Sequence, residues 1–479
     1  MSSVLVFIFD GLQPAQVNPR LMPNLAAFAS EGVTFTNHHS VFPSVTRVNA
    51  SSMVTGMASG GHGLSGNRLM IREFDSDKAM PAMEPELAQV ARSGVPVLLA
   101  PTLGQILAEH GKEYVAIGVG TSGNMYLHNP PAEDSGGATI HPTFALPADL
   151  HESLIDRFGP WPEETKPNTM RMAHATRIMT EYVLPEREPA VALIWSSEPD
   201  KSQHAAGVGS HLSDTSIREA DGQFGDILQW LNESGRAEDT DIIVASDHGY
   251  STISEIAGVE ALVHEAGFAL GGDEGGVIVA QNGGAALFYT QPGDLDTTKR
   301  LAAWLMSQPW CGTITASDAV PGIPGTLPAS LVGNEGPRVP ELTMSFKWDS
   351  LTNEAGYAGT AYSTYGEPGT GQHGSMSKHE MNNILFARGP RFKSNVKLDA
   401  PSGNYDVTPT ILRILGLSGG EGMYGRVLEE ALEGAPSEVA WTVEIHEAEY
   451  DMGVKTYKQQ IKISTVGTTS YVDEGNSVG

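Results

Sequence analysis

The chain has 479 residues, enough for one large α/β domain with insertions or for two domains. Hydrophobic residues make up 40%, which supplies a substantial core, and 54 glycines with 30 prolines predict many loops. Lys and Arg number 29 against 57 Asp and Glu, and the net charge of −28 excludes nucleic-acid polymers and anionic membranes as general partners.

Val4 to Phe9 is a continuous apolar run, the pattern of a parallel strand buried on both faces, and it ends in Asp10-Gly11. Met22 to Gly32 reads as a helix, with Pro23 in its first turn and Gly32 just past its end. Thr46 to Thr55 reads as another, whose N-terminus would turn backbone N–H groups toward a phosphate. Pro101 to Gly111 is helical and Tyr114 to Val119 the following strand. The strand-like run from Val191 leads into Asp200 and His204. Ser216 to Gly235 carries Ile217, Phe224, Ile227, Leu228 and Leu231 on one helical stripe. It feeds the strand Ile242 to Ala245, which runs into Asp247 and His248. Alternating β and α units imply an α/β fold with a mostly parallel sheet and helices on both faces.

About 120 residues without a metal motif follow, with strand-like pieces at Gly276 to Ala280 and Ala285 to Thr290. The expected organisation is a catalytic core at residues 1–253 and 371–435, a partly inserted cap at 254–370, and a C-terminal β-hairpin extension at 436–479. Cys311, the one cysteine, has no motif around it and reads as an inert small side chain. No apolar run is long enough for a membrane helix. The first residues pass directly into a strand without a basic start and a long apolar stretch. That predicts a cytoplasmic protein, or an exported one whose signal has been removed.

Asp10, Thr46, Asp200, His204, Asp247, His248 and His373 lie in five short segments, three of them following strand-like runs. Carboxylates and imidazoles are the usual ligands of zinc and similar divalent ions. Strand ends of an open α/β sheet converge in space, so these residues suggest a two-metal site with a hydroxyl nucleophile. The spacing of Asp200 and His204 lets one helical turn place both on one metal. Adjacent Asp247 and His248 at the end of a buried strand are costly unless paired or metal-bound. His38, His39, His151, His174, His211 and His379 read instead as surface or satisfied core histidines. Thr46 fits a helix N-cap as well as a nucleophile, and the residues by themselves do not choose.

Seven segments in order then resemble the alkaline phosphatase superfamily, and within it the type I phosphodiesterase/nucleotide pyrophosphatase group. They are IFDG at Ile8 to Gly11, FPSVTRVNASSMVTG at Phe42 to Gly56, HGLSGN at His62 to Asn67, and DKSQH at Asp200 to His204. SDHG at Ser246 to Gly249, GQHGS at Gly371 to Ser375 and DVTPTILRILG at Asp406 to Gly416 complete the set. The resemblance implies an alkaline-phosphatase-like central sheet and two divalent ions, zinc first, with manganese or iron as alternatives. Asp200, His204 and His373 would hold one ion, and Asp10, Asp247, His248 and Thr46 the other. It puts the nucleophile at Thr46, with Ser44 and Ser51 nearby, and implies a covalent phosphothreonine. Asn67 looks like the family asparagine that donates to a phosphate oxygen, helped by the backbone N–H of Arg47. The Arg47 side chain either touches substrate or faces solvent.

Within the superfamily, no C/S-x-P-x-R motif surrounds Thr46, which removes the sulfatase branch. Phosphonoacetate hydrolases, which cleave a C–P bond, resemble this chain at Pro43 to Gly56 but place lysines after the following strand. Here that stretch, Gly118 to Pro130, has no Lys or Arg. Its neutrality favours a phosphodiester over a phosphomonoester, and a small-molecule diester or nucleotide is the expected substrate. Thr121, Ser122, Asn124 and Tyr126 are candidate pocket residues. A non-catalytic binding protein of the same fold is the reading from another class.

Overall fold

The computed structural model describes residues 3–453 and 455–478. A ten-stranded sheet forms the centre. Its order is Val396–Leu398, Val33–His39, Asn382–Arg388, Thr240–Ala245, Ser3–Phe9, Val191–Ser196, Tyr114–Gly118, Ala138–His141, Phe144–Leu146, with Ser402–Gly403 beside Val33–His39. The four strands Thr240–Ala245, Ser3–Phe9, Val191–Ser196 and Tyr114–Gly118 run parallel. Asn382–Arg388 is antiparallel to both of its neighbours.

Period-two alternation divides Ser3–Phe9 between two cores. Leu5, Phe7 and Phe9 pack with Leu25, Phe28, Ile178, Ile217, Phe224 and Ile227 from helices on one face. Val4, Val6 and Ile8 pack with Ala50, Met53, Ile106, Leu107, Ile411 and Leu412 on the other. The expected two-faced α/β layering is therefore present. The stripe read from Ser216 to Gly235 belongs to a helix, His211–Glu233, and buries Ile217, Phe224, Ile227 and Leu231.

Register places the site. Phe9 lies opposite Ser196, and Ile8 opposite Ala245. Asp10, Asp200 and Asp247 follow those strand ends and emerge together at the carboxyl ends of three central strands. The chain turns sharply at Gly11, where φ is +72° and a Cβ would stand 2.8 Å from the Tyr250 ring, so a side chain is excluded twice over.

Residues 254–370 contribute a separate six-stranded sheet with its own apolar cluster around Val277, Phe288, Leu301 and Phe346. A four-stranded sheet ties both ends of this stretch together. Ser251 pairs with Gln372 and Thr252 with Gly371, so the residue after the long excursion returns beside the residue before it. That pairing brings His373 back to His248. The C-terminal residues make a three-stranded antiparallel sheet, Thr442–Asp451, Thr456–Val466 and Thr469–Ser477, one strand more than a hairpin. Among the described residues no helix is long and apolar enough to cross a membrane.

Candidate active site

Two groups of potential metal ligands meet at the carboxyl ends of the central strands: Asp200, His204 and His373, and Asp10, Asp247 and His248. Within each, the donor atoms lie within 4.8 Å of one another. Asp200 Oδ1 is 3.2 Å from His204 Nε2 and 3.4 Å from His373 Nε2. His248 Nε2 is 3.2 Å from Asp247 Oδ2 and 3.6 Å from Asp10 Oδ1. The rings of His248 and His373 stack with centroids 3.6 Å apart, so the groups are immediate neighbours. The first group is partly open to solvent, while the second is buried.

The histidines are oriented by backbone carbonyls. Nδ1 of His204 donates to Gly371 O at 3.0 Å, Nδ1 of His248 to Gly249 O at 2.9 Å, and Nδ1 of His373 to Ser44 O at 2.8 Å. A carbonyl only accepts, so each Nδ1 carries a proton, and Nε2 is the atom that each neutral ring offers to a metal on the side of the carboxylates. The carboxylates are held by one oxygen each. Trp195 Nε1 donates to Asp10 Oδ2 at 2.9 Å, the Gly11 N–H to Asp247 Oδ1 at 3.0 Å, and the Tyr250 hydroxyl to Asp200 Oδ1 at 2.7 Å. The other oxygens of the buried pair, Asp10 Oδ1 and Asp247 Oδ2, have no hydrogen-bond partner. A buried acceptor without a donor costs about 1–3 kcal/mol. Two such oxygens converging on one imidazole lone pair form a donor set suited to a divalent cation, and the residues fit the implied metals.

Electrostatics agree with that reading. Burial, then Asp247 and Asp200, pushes the Asp10 carboxyl well above its ordinary range. Burial likewise raises Asp247 to about 7. Burial also acts to raise Asp200, but His204 and His373 outweigh it and hold Asp200 well below the usual range. His248 is pushed well down by burial and by His373. The side chains alone thus leave one group balanced and the other short of positive charge, a deficit a bound cation removes.

Thr46 opens the helix Thr46–Thr55, with Val45 as its N-cap and no side-chain cap. The threonine hydroxyl is therefore not the capping group. It lies 3.4 Å from His248 Nε2, in the buried group. Asn67 Oδ1 accepts the Arg47 backbone N–H at 3.0 Å, which fixes the amide orientation and leaves Asn67 Nδ2 without an acceptor among the described residues. The Arg47 N–H, expected to point at phosphate, donates here to Asn67 Oδ1. The alternative that Arg47 faces solvent is overturned, because the residue is 8% exposed.

The four candidates after Tyr114–Gly118 separate. Ser122 Oγ accepts from Glu84 N at the start of the helix Glu84–Arg92, a structural use. Tyr126 is packed among Leu64, Leu69, Leu127 and Ile278, so its aromatic surface serves the core. Asn124 is fully buried with both amide atoms unpartnered, and Thr121 Oγ1 is unpartnered as well. Sequence reasoning missed Trp195 and Tyr250, and it named Ser44 only as a hydroxyl near Thr46, not for its carbonyl. Tyr250 adjoins the SDHG segment and Trp195 is the penultimate residue of the strand Val191–Ser196, which were usable signals. Ser44 acts through its carbonyl, which leaves none.

A family model described as type I phosphodiesterase/nucleotide pyrophosphatase matches residues 4–371. The chain belongs to this family. The phosphodiesterase match ends two residues before His373. Among curated proteins, a bis(5′-adenosyl)-triphosphatase from Xenopus laevis is 23% identical over 253 residues, 52% of this chain. The matched stretch spans about half of that relative, 48% of its length. Among solved structures, murine ectonucleotide pyrophosphatase/phosphodiesterase 5, as an inactive variant with AMP, superposes with a TM-score of 0.60 at 18% identity, covering 87% of this chain and 96% of that one. The human protein gives 0.62 at 17%, covering 91% and 100%. At these identities the superpositions establish the fold.

Proposed function

We propose that this phosphodiesterase-family chain hydrolyses a small phosphodiester or nucleotide pyrophosphate, with Thr46 as nucleophile and two divalent ions as cofactors. One observation carries the reading: two adjacent ligand groups with the Thr46 hydroxyl 3.4 Å from His248 Nε2, the ring that stacks on His373 of the other group. Asp200, His204 and His373 would hold one ion and Asp10, Asp247, His248 and Thr46 the other, zinc being favoured by the histidine-rich set, with manganese or iron as alternatives. Bound there, such ions supply Lewis-acid stabilisation of phosphate charge and favour the alkoxide form of a coordinated hydroxyl.

The chain's own residues do the rest. Thr46 Oγ1 forms a bond to phosphorus as the ester or anhydride oxygen leaves, giving a covalent phosphothreonine that water then cleaves. Asn67, its Oδ1 engaged by the Arg47 N–H, presents Nδ2 to a non-bridging oxygen where negative charge accumulates. The carbonyls of Ser44, Gly249 and Gly371 keep the imidazoles in one tautomer throughout. Residues 254–370 form the cap that contacts the organic part of the substrate. A nucleotide is supported by the AMP complex of the murine protein and by the name of the Xenopus relative.

The test compares kcat/KM for bis-p-nitrophenyl phosphate, p-nitrophenyl phosphate and phosphonoacetate with saturating zinc at mildly alkaline pH. The diester is expected to be the best substrate, because no Lys or Arg occurs from Gly118 to Pro130. A clear win for the monoester would replace diesterase with monoesterase activity, and a win for phosphonoacetate would indicate C–P hydrolysis.

A further inference from the structure

Arg47 is the residue whose surroundings the fold does not explain. It follows Thr46 on the same first helical turn and is 92% buried by its 8% exposure. Its Nε has no hydrogen-bond partner, and Nη2 reaches only the thioether of Met83 at 3.0 Å, a weak acceptor. Among the described residues no carboxylate lies within ion-pair distance of it, and its electrostatic neighbours are Tyr365, Asp10 and Asp200. The buried Arg338 and the largely enclosed Arg426 are treated differently. Arg338 bonds Glu73 at 3.0 Å and the carbonyls of Val97 and Pro96, and Arg426 pairs with Glu430 at 2.6 Å. A buried guanidinium is stable only when paired and hydrogen-bonded.

The charge count shows where the partner must come from. With two divalent ions in place, Asp10, Asp200, Asp247 and a Thr46 alkoxide cancel them. No carboxylate in the cluster is then left to balance Arg47. The missing counter-ion has one negative charge, an oxygen surface suited to a planar fork, and a position beside Thr46.

We infer that the Arg47 guanidinium is an anion clamp that holds the one charged non-bridging oxygen of a diester phosphate beside Thr46. The clamp rests on the phosphodiesterase reading for the identity of the anion. The backbone N–H of the same residue is committed to Asn67 Oδ1, so Arg47 orients one donor of the site and is itself the second.

The experiment uses the metal-loaded protein and titrates inorganic phosphate calorimetrically into wild type, Arg47→Met and Arg47→Lys, with metal content and Tm measured on each. Arg47→Met keeps most of the aliphatic stem and removes the charge. It should weaken phosphate binding ten- to hundredfold while retaining two metals per chain and a Tm at or above wild type. Arg47→Lys should recover part of the loss, because it restores the charge without the fork. Wild-type phosphate affinity in Arg47→Met, or a parallel loss of metal and Tm, would overturn the clamp and leave Arg47 a structural cation. So would no phosphate binding by wild type. Turnover of bis-p-nitrophenyl phosphate separates the two ideas. Arg47-dependent phosphate binding without turnover sinks the phosphodiesterase reading and keeps the clamp. Equal turnover and equal phosphate affinity in wild type and Arg47→Met do the reverse.

Discussion

Replacing Trp195 by Phe should weaken metal binding at the buried ligand group from one atom away. Trp195 is fully buried at the end of Val191–Ser196, and its Nε1 is the donor to Asp10 Oδ2 at 2.9 Å. Asp10 Oδ1 already lacks a donor, so the substitution leaves both oxygens of a buried carboxylate unbonded. A lost hydrogen bond to a charged group is worth about 1.5–3 kcal/mol. At about 1.4 kcal/mol per factor of ten, that is roughly ten- to hundredfold in affinity, the range typical of residues that orient metal ligands. The smaller ring also leaves a void of roughly 40 Å³, worth about 1 kcal/mol of stability at ~24 cal/mol per Å³. Packing and positioning thus make separable contributions. Competition with a chromophoric chelator measures metal affinity, and thermal unfolding measures stability. The expected result is a lowered Tm together with metal affinity reduced at least tenfold. A lowered Tm with metal affinity within twofold of wild type would refute the argument and make Trp195 a packing residue alone.

Elemental analysis after full reconstitution should find two metal ions per chain, and one or fewer would contradict the two-group reading. Asn67→Ala should lower kcat of the diester reaction by about two orders of magnitude with the metals retained, as removal of one oxyanion donor does elsewhere; an unchanged kcat would assign Asn67 to the turn alone. Acid should destabilise the fold even after chelation. Burial lowers the folded-state pKa of His38, His62 and His128 from 6.5 to about 3, so each stays neutral in the folded protein and takes up a proton on unfolding. Their stabilisation is complete above pH 6.5 and is lost as the pH falls toward 3. By pH 5 the loss is about 2 kcal/mol each, about 6 kcal/mol for the three, against roughly 1 kcal/mol gained by then from Asp406 and roughly 2 kcal/mol from Asp247, which burial raises to about 6 and about 7. The urea midpoint of chelated protein should therefore fall between pH 7 and pH 5, and a flat midpoint would contradict the burial of these rings.

The parts of the molecule legible in the sequence were those whose signal is local. Val4 to Phe9 announces a buried strand by its own composition, and Asp10, Asp247 and His248 stand where such runs stop. The helix His211–Glu233 shows its stripe through Ile217, Phe224, Ile227 and Leu231. What was hidden depends on pairings across the chain. The Ser44 carbonyl meets His373 across 329 positions, and any residue type at 44 would present the same carbonyl. The return of His373 rests on backbone pairing of Ser251 with Gln372, which no side chain advertises. Tyr126 and Asn124 lie two residues apart in one helix, and only the packing of that helix shows that the first serves the core while the second lacks partners. Arg47 reads as an ordinary charged residue until its burial and unpaired Nε are seen.

The central claim is that Thr46 carries the phosphoryl group. The direct measurement is a rapid acid quench of metal-loaded protein during turnover of bis-p-nitrophenyl phosphate, followed by peptide mass mapping, with Thr46→Ala in parallel. The account predicts a nitrophenyl-phosphoryl adduct on the peptide containing Thr46, at the hydroxyl itself, and neither adduct nor turnover in Thr46→Ala with metals and fold retained. Near-normal turnover in Thr46→Ala, or an adduct on Ser44 or Ser51 instead, would contradict it.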